Sequence, residues 1–113
     1  MRIEIKGRNV TVGEELRQRI EKRFLKIAKQ VSELAEMEVE LSEERNPSIP
    51  QSQVAEATLR LKGVTLRAHS QSDSMIRAIN EVADDLTRQV KRHRDKRRRR
   101  RETAKGAQQP RAA

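Results

Sequence analysis

The apolar residues of this chain change their spacing repeatedly along its length. That succession of periods, more than any other feature, limits what it can fold into. In "RIEIKG" Ile3 and Ile5 alternate with Glu4 and Lys6, the period of a half-buried strand. Leu16, Ile20, Phe24, Ile27 and Val31 then recur at three- and four-residue steps, a helical stripe, and the spacing predicts a helix over about 12–31. Thr11 and Glu14 in front of it have the T-x-x-E spacing of a capping box. "MEVELSEE" returns to alternation, with Met37, Val39 and Leu41 on one side. "EERNPSIPQSQ", with Pro47 and Pro50, reads as a loop. "VAEATLRLKG" predicts a third strand with Ala55, Ala57, Leu59 and Leu61 inward, and "KG" at 62–63 a tight turn. "VTLRAHS" predicts a fourth strand with Val64, Leu66 and Ala68 inward. The last helix has Ser72 or Asp73 as its expected cap, and Met75, Ile79, Val82, Leu86 and Val90 as its apolar face, flanked by Ala78 and Ala83.

The order βαβββα implies an α+β fold with a four-stranded mixed sheet. Strands 2–4 are close enough in sequence to pair as an antiparallel meander. The crossover through the first helix should be right-handed and leave strand 1 parallel to a neighbour. Each helix has one apolar stripe, so both are expected on the same sheet face. The other face carries Glu4, Glu38, Glu40, Glu56, Arg60, Arg67 and His69, and is expected to face water.

Past Val90 the pattern stops. No apolar residue follows until Ala104, and "KRHRDKRRRRRE" at 91–102 is almost all cationic. Residues 1–85 hold 14 Lys or Arg against 15 Asp or Glu, a net of −1; residues 86–113 hold 12 against 2, a net of +10. A nearly neutral body with a strongly basic end calls for a polyanionic partner. At helical spacing Arg88, Arg92, Lys96 and Arg99 share a face, with Lys91 and Arg94 beside it and Arg97 and Arg98 in the run that follows. Such an array suits phosphates, because each one neutralised releases counterions. Arg19, Lys22, Lys26 and Lys29, with Arg23 alongside, form a second stripe on the first helix, away from its apolar face. Two helices on one sheet face can set these stripes side by side. Plainer readings are a solvated tail, a nuclear import signal, and ordinary i,i+4 pairs such as Glu15–Arg19. Five successive arginines gain nothing locally from one another, and an import signal leaves the folded body without a role. The last helix can continue through the arginines, although it has nothing left to bury there, and the segment "ETAKGAQQPRAA" is expected to be disordered.

Composition removes several functions. Phe24 is the only aromatic residue, so recognition of single-stranded RNA by stacking on a sheet face is disfavoured, and shape with phosphate contact is favoured. There is no cysteine, hence no disulfide, thiolate metal site or thiol nucleophile. His69 and His93 are the only histidines; the first is on a strand's polar side and the second sits among arginines. Asp84 and Asp85, being adjacent on a helix, point about 100° apart and do not converge. There is no glycine-rich phosphate loop and no metal-ligand spacing, so neither a cofactor nor an enzyme is expected. The longest apolar runs are too short to span a membrane, and "MRIEIKG" lacks a secretory apolar core. A cytoplasmic protein without a membrane or small-molecule partner is expected.

Five stretches together resemble the ribosome hibernation-promoting factors, including their short, ribosome-associated inhibitor type. They are "I-x-I-x-G-R-N" at 3–9, "TVGEELRQRIEKRFLKIAK" at 11–29, "AEATL" at 55–59, "SMIRAIN" at 74–80 and "LTRQVKRHRDK" at 86–96. Their order and spacing span nearly all of residues 1–96. The resemblance implies a βαβββα domain similar to a double-stranded-RNA-binding domain over 1–96; composition makes 97–113 a basic tail that is expected to be disordered. It implies binding to the small ribosomal subunit in the mRNA channel and the tRNA A and P sites, with translation reversibly stopped under stress or in stationary phase. Carried onto matching positions, it implies rRNA contacts from Arg23, Lys26 and Lys29 and from Arg88, Arg92, Arg94 and Lys96. The charge array adds Lys91, Arg97 and Arg98. A general double-stranded-RNA binder is the competing reading. The chain departs from the family in two places: Ser74-Met75-Ile76 replaces the usual Asp-Met-Tyr, and the arginine run at 97–101 is denser than in typical short members.

Overall fold

A computed structural model describes residues 1–46, 48 and 50–108, with side chains through Arg101. The elements are β1 (Arg2–Arg8), α1 (Glu14–Ala28), β2 (Glu36–Glu43), β3 (Gln53–Leu61), β4 (Val64–Ser72) and α2 (Met75–Gln108). The sheet order is β1-β2-β3-β4, with β1 parallel to β2 and the remaining pairs antiparallel. This is the mixed sheet expected from the sequence. A parallel neighbour for β1 needs a crossover, and α1 supplies it.

The register aligns Ile5, Val39, Ala57 and Ala68 across the sheet, so one face is apolar from edge to edge. Ile20, Phe24 and Ile27 of α1, and Ala78, Ile79, Val82, Leu86 and Val90 of α2, close over it. The small residues Ala55, Ala57 and Ala68 allow this close approach, and Phe24, with no exposed surface, supplies the bulk. No buried side-chain polar atom is left without a partner among the described residues.

Three boundaries differ from the sequence expectation, each for a local reason. Val10 and Val12 pack on the core, so the chain stays extended past Thr11. The N-cap of α1 is therefore Gly13, with extended backbone and no side-chain cap; the T-x-x-E spacing makes no capping box. Glu14 and Glu15 sit instead in the first turn, where the helix dipole favours negative charge. At its other end α1 stops at Ala28. Val31 reaches the core from a turn, in which Ser32 Oγ accepts from the Leu34 amide at 3.1 Å. For α2 the cap is Ser74, whose Oγ accepts from the Arg77 amide at 3.4 Å; Ser72 is buried at the end of β4.

Residues of "G-R-N" have specific backbone tasks. A Cβ on Gly7 would collide with the Val10 carbonyl oxygen and lie 3.0 Å from Val12 Cγ2. Asn9 is at φ 62, a left-handed conformation that asparagine tolerates better than most residues. Its Oδ1 accepts from Arg45 Nη2 at 3.0 Å, tying the β1–α1 corner to the chain after β2.

The sequence allows the last helix to continue through the arginines and also reads residues 97–113 as a basic, disordered tail; α2 does continue, to Gln108, and residues 109–113 lie outside those described. Arginine, lysine, alanine and glutamate are good helix formers, and the packed turns from Met75 to Val90 supply the nucleus that an isolated helix lacks. At 1.5 Å per residue, roughly 27 Å of helix runs on past Val90. The principal extents of 71 × 28 × 18 Å reflect that projection. Among the described residues no helix is long and apolar enough to cross a membrane.

Since Phe24 fills the centre of an otherwise aliphatic core, Phe24→Ala should cost about 3–5 kcal/mol. Urea unfolding followed by circular dichroism checks this; an unchanged midpoint would mean that the core is held elsewhere.

Candidate nucleic-acid interface

The outer surface of the two helices is built from what their apolar stripes leave over. With Ile20, Phe24 and Ile27 turned to the sheet, Arg19, Lys22, Arg23, Lys26 and Lys29 are all exposed on α1. On α2, Arg88, Lys91, Arg92, Arg94, Lys96 and Arg97 to Arg101 are exposed in the same way. Every cation expected from the sequence is therefore accessible. They are not all brought together.

Contacts from α2 fix which way each turn faces. On one side Asp84 accepts from Arg23 Nη2 of α1 at 2.7 Å. On the other, Glu81 accepts from Ser70 Oγ, and Gln89 Nε2 donates to the Arg67 carbonyl at 2.8 Å, both on β4. At about 100° per residue, Lys91, Arg94 and Arg98 continue on the α1 side, whereas Arg92, Lys96 and Arg99 continue on the β4 side. The stripe Arg88–Arg92–Lys96–Arg99 thus turns away from α1. The surface joining the two helices runs through Lys91, Arg94 and Arg98 instead. Beyond the body the arm is surrounded by solvent, and all its faces can meet phosphate.

Arg23 has a double part. Its ion pair with Asp84 links the helices, and being solvent-exposed it contributes no more than about 1 kcal/mol. A guanidinium has five N–H donors, so one bond to Asp84 orients it and leaves others for an incoming anion. Asp85 is engaged by Gln89 at 3.2 Å and by Arg88 at 3.9 Å. Both aspartates therefore brace helices and their cations. The Glu15–Arg19 and Lys29–Glu33 pairs that would have absorbed the α1 stripe do not form; the ion pairs of this layer are Arg23–Asp84, Arg77–Asp73 and Arg88–Asp85.

Between the helices lies an open groove of about 650 Å³, lined by Arg19, Lys22, Arg23 and Lys26, with Asn80 from α2 and a single carboxylate, Glu15. Arg19 and Lys22 belong to the sequence stripe but not to the contacts implied by resemblance; the groove makes them equal neighbours of Arg23 and Lys26. Asn80 carries no sequence signal, since a lone polar residue at a helix–helix seam looks like any surface asparagine.

The opposite face of the sheet mixes both signs of charge and is knit by ion pairs. Glu38 accepts from Lys6 at 3.1 Å and lies 3.6 Å from Arg60, while Glu4 lies 3.7 Å from Lys6. The hydrogen bond from Lys6, and then its charge, hold the Glu38 carboxyl below the usual glutamate range; the same bond and charge raise Lys6. Glu40 and Glu56 face each other across β2 and β3. The helix side presents an excess of cations to a polyanion, whereas the open sheet face, with Arg2, Lys6, Arg8, Arg60 and Arg67 against Glu4, Glu36, Glu38, Glu40 and Glu56, is balanced.

A family model described as "Sigma 54 modulation protein / S30EA ribosomal protein" matches residues 3–98. The chain is 31% identical over 99 residues to a ribosome hibernation promoting factor of Acinetobacter guillouiae, covering 83% of this chain and 88% of that one. It is 29% identical over 96 residues to the Escherichia coli K12 protein of the same name, covering 85% and 96%. The fold is similar to that of the Thermus thermophilus Protein Y N-terminal domain, with a TM-score of 0.72 at 26% identity, covering 82% of this chain and 99% of that one. A ribosomal subunit interface protein from Coxiella burnetii, 19% identical, shares the fold with a TM-score of 0.71 over 84% and 99% of the two chains.

The arm carries its own prediction. Each phosphate contact contributes roughly −0.7 to −0.9 to the slope of log K against log salt, so changing Arg97 to Arg101 to Ser should flatten that slope by roughly 2–4 units for a structured RNA. The thermal midpoint should change little, because Val90 is the last core residue of α2. A variant with unchanged slope and affinity would mean that the arginines touch no phosphate.

Proposed function

The chain belongs to the family of sigma 54 modulation protein and S30EA ribosomal proteins, and we propose that it is a hibernation factor that blocks the small ribosomal subunit. In this reading it binds in the cytoplasm to the mRNA and tRNA channel at the A and P sites, and stops translation reversibly under stress or in stationary phase. The observation that carries the reading is the layout of charge. A neutral body bears cations over its outer helix layer, and one helix carries them roughly 27 Å further. The names of its relatives supply the ribosome as the target.

Physically, the body acts as a plug and the arm as a tether. Phosphates contacted by Arg19, Lys22, Arg23, Lys26 and Lys29 hold the body, and those contacted by Arg88, Lys91, Arg92, Arg94 and Lys96 to Arg101 hold the arm. Phosphate contacts position without reading sequence, so the choice of this RNA over others comes from shape: a rigid body and a straight arm must reach separate phosphate walls together. Like charges along the arm repel one another when it is free; phosphates remove that cost, and binding and helix stability reinforce each other. No covalent step is involved, so release needs only competition or a change in the ribosome. The sheet face, whose charges balance, is left toward solvent.

Two outcomes follow. Lys26→Glu together with Lys29→Glu should leave the fold intact, since both are exposed off the apolar stripe, and weaken cosedimentation with small subunits by at least tenfold, as expected for reversing two phosphate contacts. Unchanged cosedimentation would reduce the α1 stripe to solvated surface. In filter binding, the protein and initiator tRNA should exclude each other from the small subunit. Simultaneous binding would refute occupancy of the P site, and equal competition by any RNA duplex would favour a general double-stranded-RNA binder.

A further inference from the structure

Where the arm leaves the body, a second groove of about 550 Å³ opens between the α1–β2 connection, the β3–β4 hairpin and α2. Its size lies within the range of roughly 300–1,000 Å³ that holds small ligands. Its floor is aliphatic: Val31, Leu61 and Val90. Leu34 stands at its edge with 90% of its surface exposed, the largest exposure of any bulky apolar residue among those described. Together with Val31, Leu61 and Val90 it forms one continuous apolar lining at the junction of body and arm, and contiguity rather than a lone exposed leucine is what marks a binding surface. Its position is built, because the Leu34 amide is tied to Ser32 Oγ and the Ala35 amide donates to the Ser32 carbonyl at 3.0 Å.

The rim decides what the occupant is. Arg60 and Lys62 from the hairpin, and Arg94 and Arg97 from α2, surround the aliphatic floor, against one carboxylate, Glu36. The occupant therefore combines a flat or apolar part with flanking anions. Arg94 and Arg97 also belong to the arm, so an RNA held along the arm passes directly over the groove's mouth. Gln30 and Glu36 at the wall offer a donor and acceptors to the edge of a base.

We propose that this groove takes one unstacked nucleotide of the RNA that the arm holds. The base lies on Leu34, Leu61 and Val31, and its neighbouring phosphates lie on Lys62, Arg94 and Arg97. This rests on the ribosomal reading above and adds to it a preference for a bulged or splayed nucleotide over a continuous duplex. It also gives a chain without stacking aromatics a means of favouring one place on an RNA over another. Unpaired bases cost least to extrude, which is why a bulge should be selected.

The test compares two RNA hairpins of equal charge, one fully paired and one carrying a single bulged 2-aminopurine, with the intact chain. The bulged hairpin should bind about fivefold more tightly, as burying roughly 40 Å² of apolar surface would give, and 2-aminopurine fluorescence should change on binding. Leu34→Ser, which alters no charge and no core contact, should abolish the preference while leaving affinity for the paired hairpin unchanged. Equal binding of both hairpins by the wild-type chain would overturn the proposal. So would a Leu34→Ser variant that keeps the preference, or that weakens both hairpins alike. If an acidic, leucine-containing peptide binds in a Leu34-dependent way while the hairpins bind equally, the groove belongs to a protein partner. Salt-dependent ribosome binding that survives Leu34→Ser would leave the hibernation reading standing; its loss in the wild type would sink that reading independently.

Discussion

The seating of Ile79, Val82, Leu86 and Val90 on the sheet is the contact on which the rest of the molecule depends. It buries the first half of α2, and in doing so it fixes the direction in which the second half must project. A helix of this charge would not form alone, since propagation is weak, nucleation is costly and like charges oppose it. Grown from a packed base, it needs only good helix formers and no further apolar residue. The same seating aligns α2 beside α1 and so creates the groove between them. The core is made of aliphatic side chains and one phenylalanine, with alanines where the layers approach. That economy is possible because the sheet's second face is left to water and to ion pairs.

Charge is sorted by the same geometry. The period of two in the strands places glutamates and balancing cations on the open face, and the period of 3.6 in the helices places an excess of cations on the outer face of the opposite layer. The result is a polar molecule whose field orients it before contact. Within the cationic layer, Asp84 and Asp85 both hold arginines in place. A body that is neutral overall avoids sticking to every polyanion, while the arm supplies attraction over distance. Selectivity must then come from simultaneous fit of body, arm and the groove at their junction.

Much of this was legible from residue spacing. Ile3 and Ile5, Met37 to Leu41, and Ala55 to Leu59 define strands because alternation survives any local irregularity. The stripes ending at Val31 and Val90 define helices for the same reason. What spacing could not supply was the path between elements. Thr11 and Glu14 have the interval of a capping box, yet Val10 and Val12 are drawn into the core and carry Thr11 past the place where a cap is needed. The arm was legible only as an alternative. Its cations keep helical spacing while its composition resembles a disordered tail, and attachment to a buried base decides for the helix. The facing of the two basic stripes depends on the rotation of α2, which is set by Gln89 and Glu81 gripping β4, polar contacts with no sequence period. The groove at the junction is assembled from Val31, Leu34, Arg60, Lys62 and Arg97, five residues from three distant segments, and no linear pattern announces it.

The central claim is that the helix layer and arm, not the sheet, face ribosomal RNA in the subunit channel. Because the chain has no cysteine, single cysteines can direct a tethered hydroxyl-radical source to one place at a time. Arg101→Cys, on the arm, should produce strong cleavage of small-subunit rRNA confined to the mRNA and tRNA channel. Glu56→Cys, on the open sheet face, should produce far weaker cleavage there. Equal cleavage from both positions, or arm-directed cuts scattered outside the channel, would contradict the account.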